Sequence, residues 1–134
     1  MWRDDELVSA RLAADVAAGH FFIAESNLEP AGVVKFQLED PEFWPDVPPG
    51  ESAFVHRLAV RRSFAGGEVS SALLNWALER ARTLGKKYLR LDCEASRSRL
   101  RALYERFGFV HHSDRQVGTF HNRFRHLHHL RHIL

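Results

Sequence analysis

The chain has 134 residues, of which 45% are hydrophobic and 27% charged, and its formal net charge is +2. This length and apolar content predict one globular domain around a single core. No apolar run approaches the roughly 20 residues of a membrane span, and the acidic start MWRDDEL is unlike a secretory leader. We therefore expect a cytoplasmic protein. The single cysteine, Cys93, excludes an internal disulfide and argues against a thiolate metal cluster.

The charges are unevenly divided along the chain. Residues 1–54 carry 3 basic and 11 acidic residues, a net charge of −8, and residues 55–134 carry 16 and 6, a net charge of +10. Two solvated surfaces would explain the division. Alternatively, the basic half binds a polyanionic ligand and the acidic half attracts a cationic one. Aromatic residues are not interleaved with the basic ones as a nucleic-acid stacking platform requires, so we expect no nucleic-acid partner.

The first third of the chain is predicted to form a helix and a β-hairpin. Apolar residues recur at helical spacing over residues 4–19. Two strands follow at 21–25 and 32–38, with a turn at 27–31 between them. Four prolines then make 40–51 a loop. Its aromatic residues, predicted to be exposed, either line a substrate mouth or cap the core; they are Phe43 and Trp44.

The rest of the chain alternates between strands and helices. The predicted order is strand, helix, strand, helix, strand, strand, at residues 52–60, 69–84, 88–93, 98–107, 109–116 and 119–127. The strand, helix and strand between residues 52 and 93 imply one right-handed parallel crossover. The predicted fold class is therefore α/β, an α+β mixed sheet that is mostly antiparallel, with helices on both faces.

The most informative stretch is HRLAVRRSFAGGEVSSALL at residues 56–74, which is predicted to be a strand, a glycine-containing turn and the start of a helix. Amide groups at the start of a helix have no partners within the helix, and the helix dipole adds partial positive charge there. Such a site is suited to binding a phosphate. A second marker, YERFGF, follows at residues 104–109.

Together these two segments resemble the GNAT superfamily of acyl-CoA N-acyltransferases, and the likeness extends over residues 21–127. The resemblance implies the GNAT-like fold and transfer of an acetyl group from acetyl-CoA, as co-substrate, to a primary amine. It also implies direct transfer in a ternary complex. The acceptor is expected to be a small-molecule or peptide amine, and the acidic first half favours a cationic one.

The resemblance also implies roles for individual residues. Tyr104 occupies the position of a tyrosine that commonly protonates the departing CoA thiolate. His56 stands where arylalkylamine N-acetyltransferases have a histidine implicated in proton removal, and imidazole suits that task near neutral pH. Both side chains could instead simply pack in the core. Backbone groups that would bind acetyl-CoA belong to Leu58, Ala59, Val60, Ala65, Gly66, Gly67, Glu68, Val69, Ser70 and Ser71. Basic residues that could hold its 3′-phosphate are Arg61, Arg62, Arg97, Arg99 and Arg101.

Two departures from the family pattern support an alternative. Glu68 stands where the family has a glycine next to the diphosphate, and the family's first strand and helix have no counterpart before residue 4. The alternative is a catalytically weak or inactive GNAT-fold domain that serves as a binding or interaction module. An unpaired sheet edge would also favour a homodimer.

The end of the chain, from residue 121, is rich in histidine and contains no acidic residue. Histidines at helical spacing suggest a metal site. Without a carboxylate or cysteine nearby, we expect a solvated basic tail or a last strand that frays, and no metal.

Overall fold

A computed structural model describes residues 20–26, 28–64 and 68–126. The strands are β1 Phe21–Ser26, β2 Glu29–Gln37, β3 Ser52–Val60, β4 Tyr88–Glu94, β5 Val110–Val117 and β6 Thr119–His126, and the helices are α1 Glu68–Thr83 and α2 Ser98–Phe107. Within these residues, neither helix is long and apolar enough to cross a bilayer. The helix predicted at 4–19 lies outside the described residues.

The strands form one mixed sheet in the order β1-β2-β3-β4-β6-β5. Three of the pairs, β1 with β2, β4 with β6 and β5 with β6, are antiparallel, whereas β3 and β4 are parallel. The predicted mixed sheet with one parallel crossover is therefore confirmed. The parallel ladder joins residues 52–55 to residues 88–91, and residues 56–60 of β3 lie beyond its end.

The chain divides into two compact units, and β3 and α1 each begin in one unit and end in the other. The N-terminal unit contains the described residues of 20–36 and His56–Trp76, including β1 and the first part of α1. The C-terminal unit contains Gln37–Val55 and residues 77–126, including the proline-rich loop and the strands β4 to β6.

The hairpin of β1 and β2 is tighter than predicted. β2 begins three residues earlier than expected, because Ser26 already pairs with Glu29. Between the strands, Leu28 takes the left-handed conformation with a φ of 69°. Pro30 pairs with Glu25, where the register of β1 shifts. A bulge accommodates a residue that lacks an amide hydrogen, so this proline does not keep the strand from starting.

The strands and helix of the N-terminal unit approach one another closely at Gly32 of β2. A Cβ atom there would lie 2.9 Å from the carbonyl oxygen of Ala59 in β3. It would also lie 3.0 Å from Val69 Cγ1 and 3.1 Å from Leu73 Cδ1, both in α1. A side chain at this position would push α1 away from the two strands. Glycine is therefore required here for its size.

An aromatic cluster packs α1 onto the hairpin in the same unit. Trp76 of α1 lies against Phe22, with ring centroids 4.3 Å apart, and meets Phe36 nearly edge-on at 5.6 Å. Aromatic pairs of this kind add about 0.5–1.5 kcal/mol to the effect of burying their area. The buried residues of α1 are Leu73, Leu74, Ala77, Leu78 and Ala81.

In the C-terminal unit, β4 and β6 present different side chains on their two faces. On one face, Leu91 pairs with Phe124, and the ring of Tyr104 in α2 lies 6.2 Å from that of Phe124. Because side chains alternate along a strand, the neighbouring positions face the other way. They are charged, and they are Arg90, Asp92, Arg123 and Arg125.

Trp44 of the proline-rich loop packs against this charged face. The guanidinium groups of Arg90 and Arg123 lie 4.9 and 4.8 Å from its ring centroid. All three residues are buried, and Trp44 is only 2% exposed. Cation–π attraction is strongest where the cation is removed from water. The prediction that Trp44 is exposed is therefore wrong, because two arginines far along the chain pack against its ring.

Arg123 also makes four hydrogen bonds, three to the loop and one to β5. Its Nη1 and Nη2 atoms donate to the carboxylate oxygens of Asp46 at 2.7 and 3.1 Å. Nη1 also donates to the carbonyl oxygen of Phe43 at 3.1 Å, and Nε donates to Ser113 Oγ at 2.8 Å. The hydrogen bond from Arg123 lowers the pKa of the Asp46 carboxyl below its ordinary value. These bonds offset the cost of burying a charge.

We predict that Gly32→Ala lowers the free energy of unfolding by about 1–3 kcal/mol, because its methyl group overlaps β3 and α1. Gly118→Ala is the control: its Cβ would lie in open space, but its φ is +68°. It introduces left-handed strain without overlap, at a cost of about 1 kcal/mol. Urea denaturation measures both variants. A Gly32→Ala variant as stable as the wild type would contradict the close approach.

We predict that Asp46→Asn lowers the free energy of unfolding by about 1 kcal/mol at neutral pH, since half exposure of Asp46 weakens the pair by solvent screening. Because the folded pKa of Asp46 is lowered, its contribution is present above the ordinary value of 3.8 and is lost as the pH falls through the folded value. Urea denaturation at neutral pH and below pH 3.8 should show the gap between variant and wild type narrowing. A gap that stays constant would argue against an ionised Asp46 in the pair.

Candidate functional site

The connection from β3 to α1 has the predicted order of strand, turn and helix. β3 ends at Val60, a single 3₁₀ turn covers Arg62–Phe64, and α1 begins at Glu68. Residues 65–67, which include both glycines of the turn, lie outside the described residues. The structure thus describes the two ends of the segment predicted to bind a diphosphate.

The first turn of α1 supplies hydrogen-bond donors. Its amide groups have no acceptors within the helix, and the helix dipole favours an anion nearby. Val69, Ser70 and Ser71 are half-buried, whereas Glu68 is exposed. Because Glu68 has access to solvent, its carboxylate can turn away from an anion. The contact of Val69 with Gly32 sets how close this turn lies to the strands.

Leu58, Ala59 and Val60 form the end of β3. All three are half-buried, and they lie beyond the parallel ladder between β3 and β4. That ladder therefore does not use their amide groups. Backbone donors placed in this way can stabilise negative charge that develops on a reacting carbonyl oxygen.

His56 lies in the same stretch of β3. It is half-buried and interacts with other described parts of the protein. Imidazoles ordinarily change charge near neutral pH, which suits a general base. The role of His56 as the base stays a prediction.

Tyr104 lies on α2 in the C-terminal unit and is only 4% exposed. Its ring meets that of Phe109 edge-on at 5.9 Å. Burial raises the pKa of the phenol above its ordinary value of 10, and the negative charge of Asp92 raises it further. The phenol is therefore protonated near neutral pH, as a proton donor must be. Its packing and its predicted role as an acid are compatible.

The five arginines considered for the 3′-phosphate are divided between the units. Arg61 Nη1 donates to the carbonyl oxygen of Pro30 at 3.3 Å, and Arg62 is exposed beside it. At the start of α2, Arg97 and Arg99 are exposed, and Arg101 is half-buried. All five keep at least part of their surface in contact with solvent.

A histidine–carboxylate contact between β4 and β6 was missed by the sequence analysis. His121 Nδ1 lies 2.8 Å from Asp92 Oδ2, and the two side chains are 14% and 8% exposed. The ring of Phe43 lies 4.9 Å from the imidazole. The prediction of a solvated histidine is wrong for His121, because the pairing of β6 with β4 brings a carboxylate to it. A signal was available, since Asp92 interrupts the apolar sequence of a buried strand.

Asp40 brings a second carboxylate to this pair. Carboxylate oxygens of Asp40 and Asp92 lie within 4.8 Å of each other. Asp40 Oδ1 accepts a hydrogen bond from the amide of Phe43 at 3.1 Å, and its carbonyl oxygen accepts one from the amide of Trp44 at 2.9 Å. Its position is therefore set by a turn of the loop. From the sequence, Asp40 was only one of several acidic residues in the loop region.

Cys93 is buried in β4, on the face of the strand opposite Asp92. Burial raises the pKa of its thiol to about 11. Its Sγ atom donates a hydrogen bond to the carbonyl oxygen of Glu94 at 3.4 Å. The nucleophilic thiolate is therefore scarcely populated at neutral pH.

Comparison with known sequences identifies relatives of the chain. The sequence profile of the acetyltransferase (GNAT) family matches residues 2–109. YesJ, an uncharacterised N-acetyltransferase of Bacillus subtilis strain 168, is 33% identical over 102 residues, which are 73% of this chain and 57% of YesJ. The chain thus spans little more than half the length of that curated relative.

Solved acetyltransferase structures share the fold at low sequence identity. A GNAT acetyltransferase of Streptococcus agalactiae has a TM-score of 0.75 and 11% identity, over 92% of this chain and 78% of its own. A GNAT acetyltransferase of Listeria monocytogenes has a TM-score of 0.71 and 21% identity, over 87% of this chain and 69% of its own. The ribosomal-protein-S18-alanine N-acetyltransferase of Escherichia coli has a TM-score of 0.66 and 19% identity, over 81% of this chain and 68% of its own. Since the family profile matches most of the sequence and the fold agrees, the chain belongs to the GNAT acetyltransferase family.

Proposed function

We propose that the protein is an N-acetyltransferase that moves an acetyl group from acetyl-CoA to a primary amine. The observation that carries this proposal is the β3–α1 segment, where strand amides beyond the parallel ladder are followed by the first turn of a helix. The donors of this segment suit a diphosphate: backbone amides, the half-buried hydroxyl residues Ser70 and Ser71, and the cation of Arg61. Glu68 is the one described group in this set that opposes an anion.

Direct transfer in a ternary complex is favoured over an acyl-enzyme. The chain has one cysteine, Cys93, which is buried and whose thiol pKa is raised to about 11. A thiol that stays protonated at neutral pH is a poor nucleophile. The acceptor amine therefore attacks the thioester carbonyl itself.

In this proposal an amide group at the end of β3, among those of Leu58, Ala59 and Val60, stabilises the negative charge on the carbonyl oxygen. His56 takes a proton from the amine as the new C–N bond forms. Tyr104 gives a proton to the sulfur as the C–S bond breaks. A raised pKa keeps the phenol of Tyr104 protonated at neutral pH, so its proton is still present when the thiolate leaves.

We predict that Tyr104→Phe lowers turnover about 100-fold, since general acid catalysis typically contributes that much. Acetyl-CoA affinity should stay within a few-fold of the wild type, because phenylalanine keeps the ring contacts with Phe109 and Phe124. Release of CoA with a panel of primary amines measures turnover, and calorimetric titration measures affinity. Unchanged turnover would leave Tyr104 as a packing residue.

We predict that the wild type binds acetyl-CoA with a dissociation constant of about 1 μM to 1 mM, the usual range for enzyme substrates. Glu68→Gly should bind it more tightly, because a negative charge near the diphosphate is removed. Glu68→Gln is the matched variant that removes the charge alone. Isothermal titration calorimetry measures all three.

One outcome of that titration favours the alternative function. If the wild type does not bind acetyl-CoA and Glu68→Gly restores binding, the chain keeps the fold of the family without its activity. It would then act as a binding or interaction module. The exposure of Glu68 argues against this outcome, because its carboxylate can point into solvent.

A further inference from the structure

A cavity of about 520 Å³ lies within the C-terminal unit, between the proline-rich loop, the start of β3 and the turn after α1. This volume is within the range of small-molecule sites, roughly 300–1,000 Å³. Its apolar wall comprises the rings of Trp44 and Phe54, the side chain of Val47 and all four prolines of the loop. Leu38 also lines the cavity and is 43% exposed. The cavity thus offers apolar surface that a ligand can cover.

Contacts within the protein hold the cavity in shape. The burial of Trp44 against two arginines fixes the middle of the loop, and the bidentate bond of Arg123 to Asp46 fixes the next turn. Lys86 Nζ donates to the carbonyl oxygen of Gly50 at 3.1 Å and holds the end of the loop. A site preformed in this way loses little entropy when a ligand binds.

Three charged residues line the cavity, and two of them have charges that a ligand can reach. Asp40 is not one of these, because its Oδ1 atom accepts the amide of Phe43 and its Oδ2 atom is closed to solvent. The carboxylate of Glu39 is exposed and makes no hydrogen bond or ion pair within the part of the chain that the structure describes. Lys86 is half-buried, and its ammonium group has three donors, of which the carbonyl of Gly50 uses one.

Glu39 and Lys86 carry opposite charges but do not pair with each other. Both line the same cavity, and no ion pair joins them in the described structure. A space therefore separates the carboxylate from the ammonium group. A ligand that carries an ammonium group and a carboxylate side by side would meet both charges through charge-assisted hydrogen bonds. A ligand with only one charge would leave the other residue unmatched.

We propose that this cavity binds a free α-amino acid with an apolar side chain. Glu39 binds the α-ammonium group, the two remaining donors of Lys86 bind the α-carboxylate, and the apolar side chain lies against Trp44, Phe54 and Val47. The apolar wall disfavours polar side chains, because they would lose water without gaining hydrogen bonds. The proposal concerns binding alone and goes beyond the proposed function, because it requires neither acetyl-CoA nor acetyl transfer.

The test is calorimetric titration of the whole chain at neutral pH, without acetyl-CoA, with four probes. L-Phenylalanine has both charges and an apolar ring. 2-Phenylethylammonium lacks the carboxylate, 3-phenylpropionate lacks the ammonium group, and L-alanine lacks the ring. We expect L-phenylalanine to bind at least about tenfold more tightly than each of the others. Tenfold corresponds to about 1.4 kcal/mol, and a hydrogen bond to a charged group or the burial of a ring each contributes at least that much.

Two variants test the two charges separately. Glu39→Gln should lower the affinity for L-phenylalanine about tenfold without weakening that for 3-phenylpropionate, which has no ammonium group. Lys86→Gln keeps a donor for the carbonyl of Gly50. It should lower the affinity for L-phenylalanine about tenfold without weakening that for 2-phenylethylammonium, which has no carboxylate. The matched controls Glu42→Gln and Lys87→Gln remove equal charges from exposed residues that do not line the cavity, and their affinities should equal those of the wild type.

A third variant tests the location of the site. Val47→Trp fills the cavity and should abolish binding of L-phenylalanine. Circular dichroism checks that each variant is folded, and Val47→Phe replaces Val47→Trp if the larger side chain is not tolerated. The comparison of the four probes on the wild type needs no variant and decides between the outcomes by itself.

The proposal is overturned if the wild type does not bind L-phenylalanine or if any of the other three probes binds as tightly. It is also overturned if Glu39→Gln and Lys86→Gln lose no more affinity than their controls, or if the filled cavity still binds L-phenylalanine as the wild type does. Binding of L-phenylalanine as expected, together with no binding of acetyl-CoA, would overturn the proposed function and leave the amino-acid site standing.

Discussion

The C-terminal unit depends on one buried cation, the guanidinium of Arg123. It bonds at once to Asp46 and Phe43 in the loop and to Ser113 in β5, from its own position in β6. A buried charge is costly unless its hydrogen bonds are made, so these segments are stable only when they are together. The loop in turn carries Trp44, whose ring lies 4.8 Å from the guanidinium of Arg123.

Close packing is achieved differently in the two units. In the N-terminal unit, the missing side chain of Gly32 lets α1 approach β2 and β3, and the aromatic cluster of Trp76 packs beside the hairpin. In the C-terminal unit, one face of the strands is apolar and the other is charged. A tryptophan and paired carboxylates cover the charged face, so that water is excluded without leaving charges uncompensated.

The uneven charge along the chain is partly neutralised by the fold. Acidic residues of the first half pair with arginines of the second: Asp46 with Arg123, and Glu51 with Arg90 at 3.6 Å. These arginines are therefore structural and unavailable to a polyanion. Solvent contact is kept by the arginines after β3 and at the start of α2, where the family resemblance expects the phosphates of CoA. Asp40 lies instead beside Asp92, with carboxylate oxygens of the two residues within 4.8 Å of each other.

Several features were predictable because they depend on short-range periodicity. From residue 21 onward, every predicted strand and helix is present, with ends that differ by up to three residues. The strand, turn and helix after residue 52 and the tyrosine of YERFGF indicated the family, since both are local motifs. The helix at 4–19, the turn at 65–67 and the tail after residue 126 lie outside the described residues and stay predictions.

The sequence by itself thus determined the order of the elements, the class of the sheet and the candidate residues on β3, α1 and α2. Only the tertiary structure decided that Trp44 is buried, that His121 pairs with Asp92, and that Asp40 lies beside them. These facts depend on which strand pairs with which and in what register, and on where a loop packs. Such contacts join residues about 30 to 80 positions apart, and no periodicity along the chain records them.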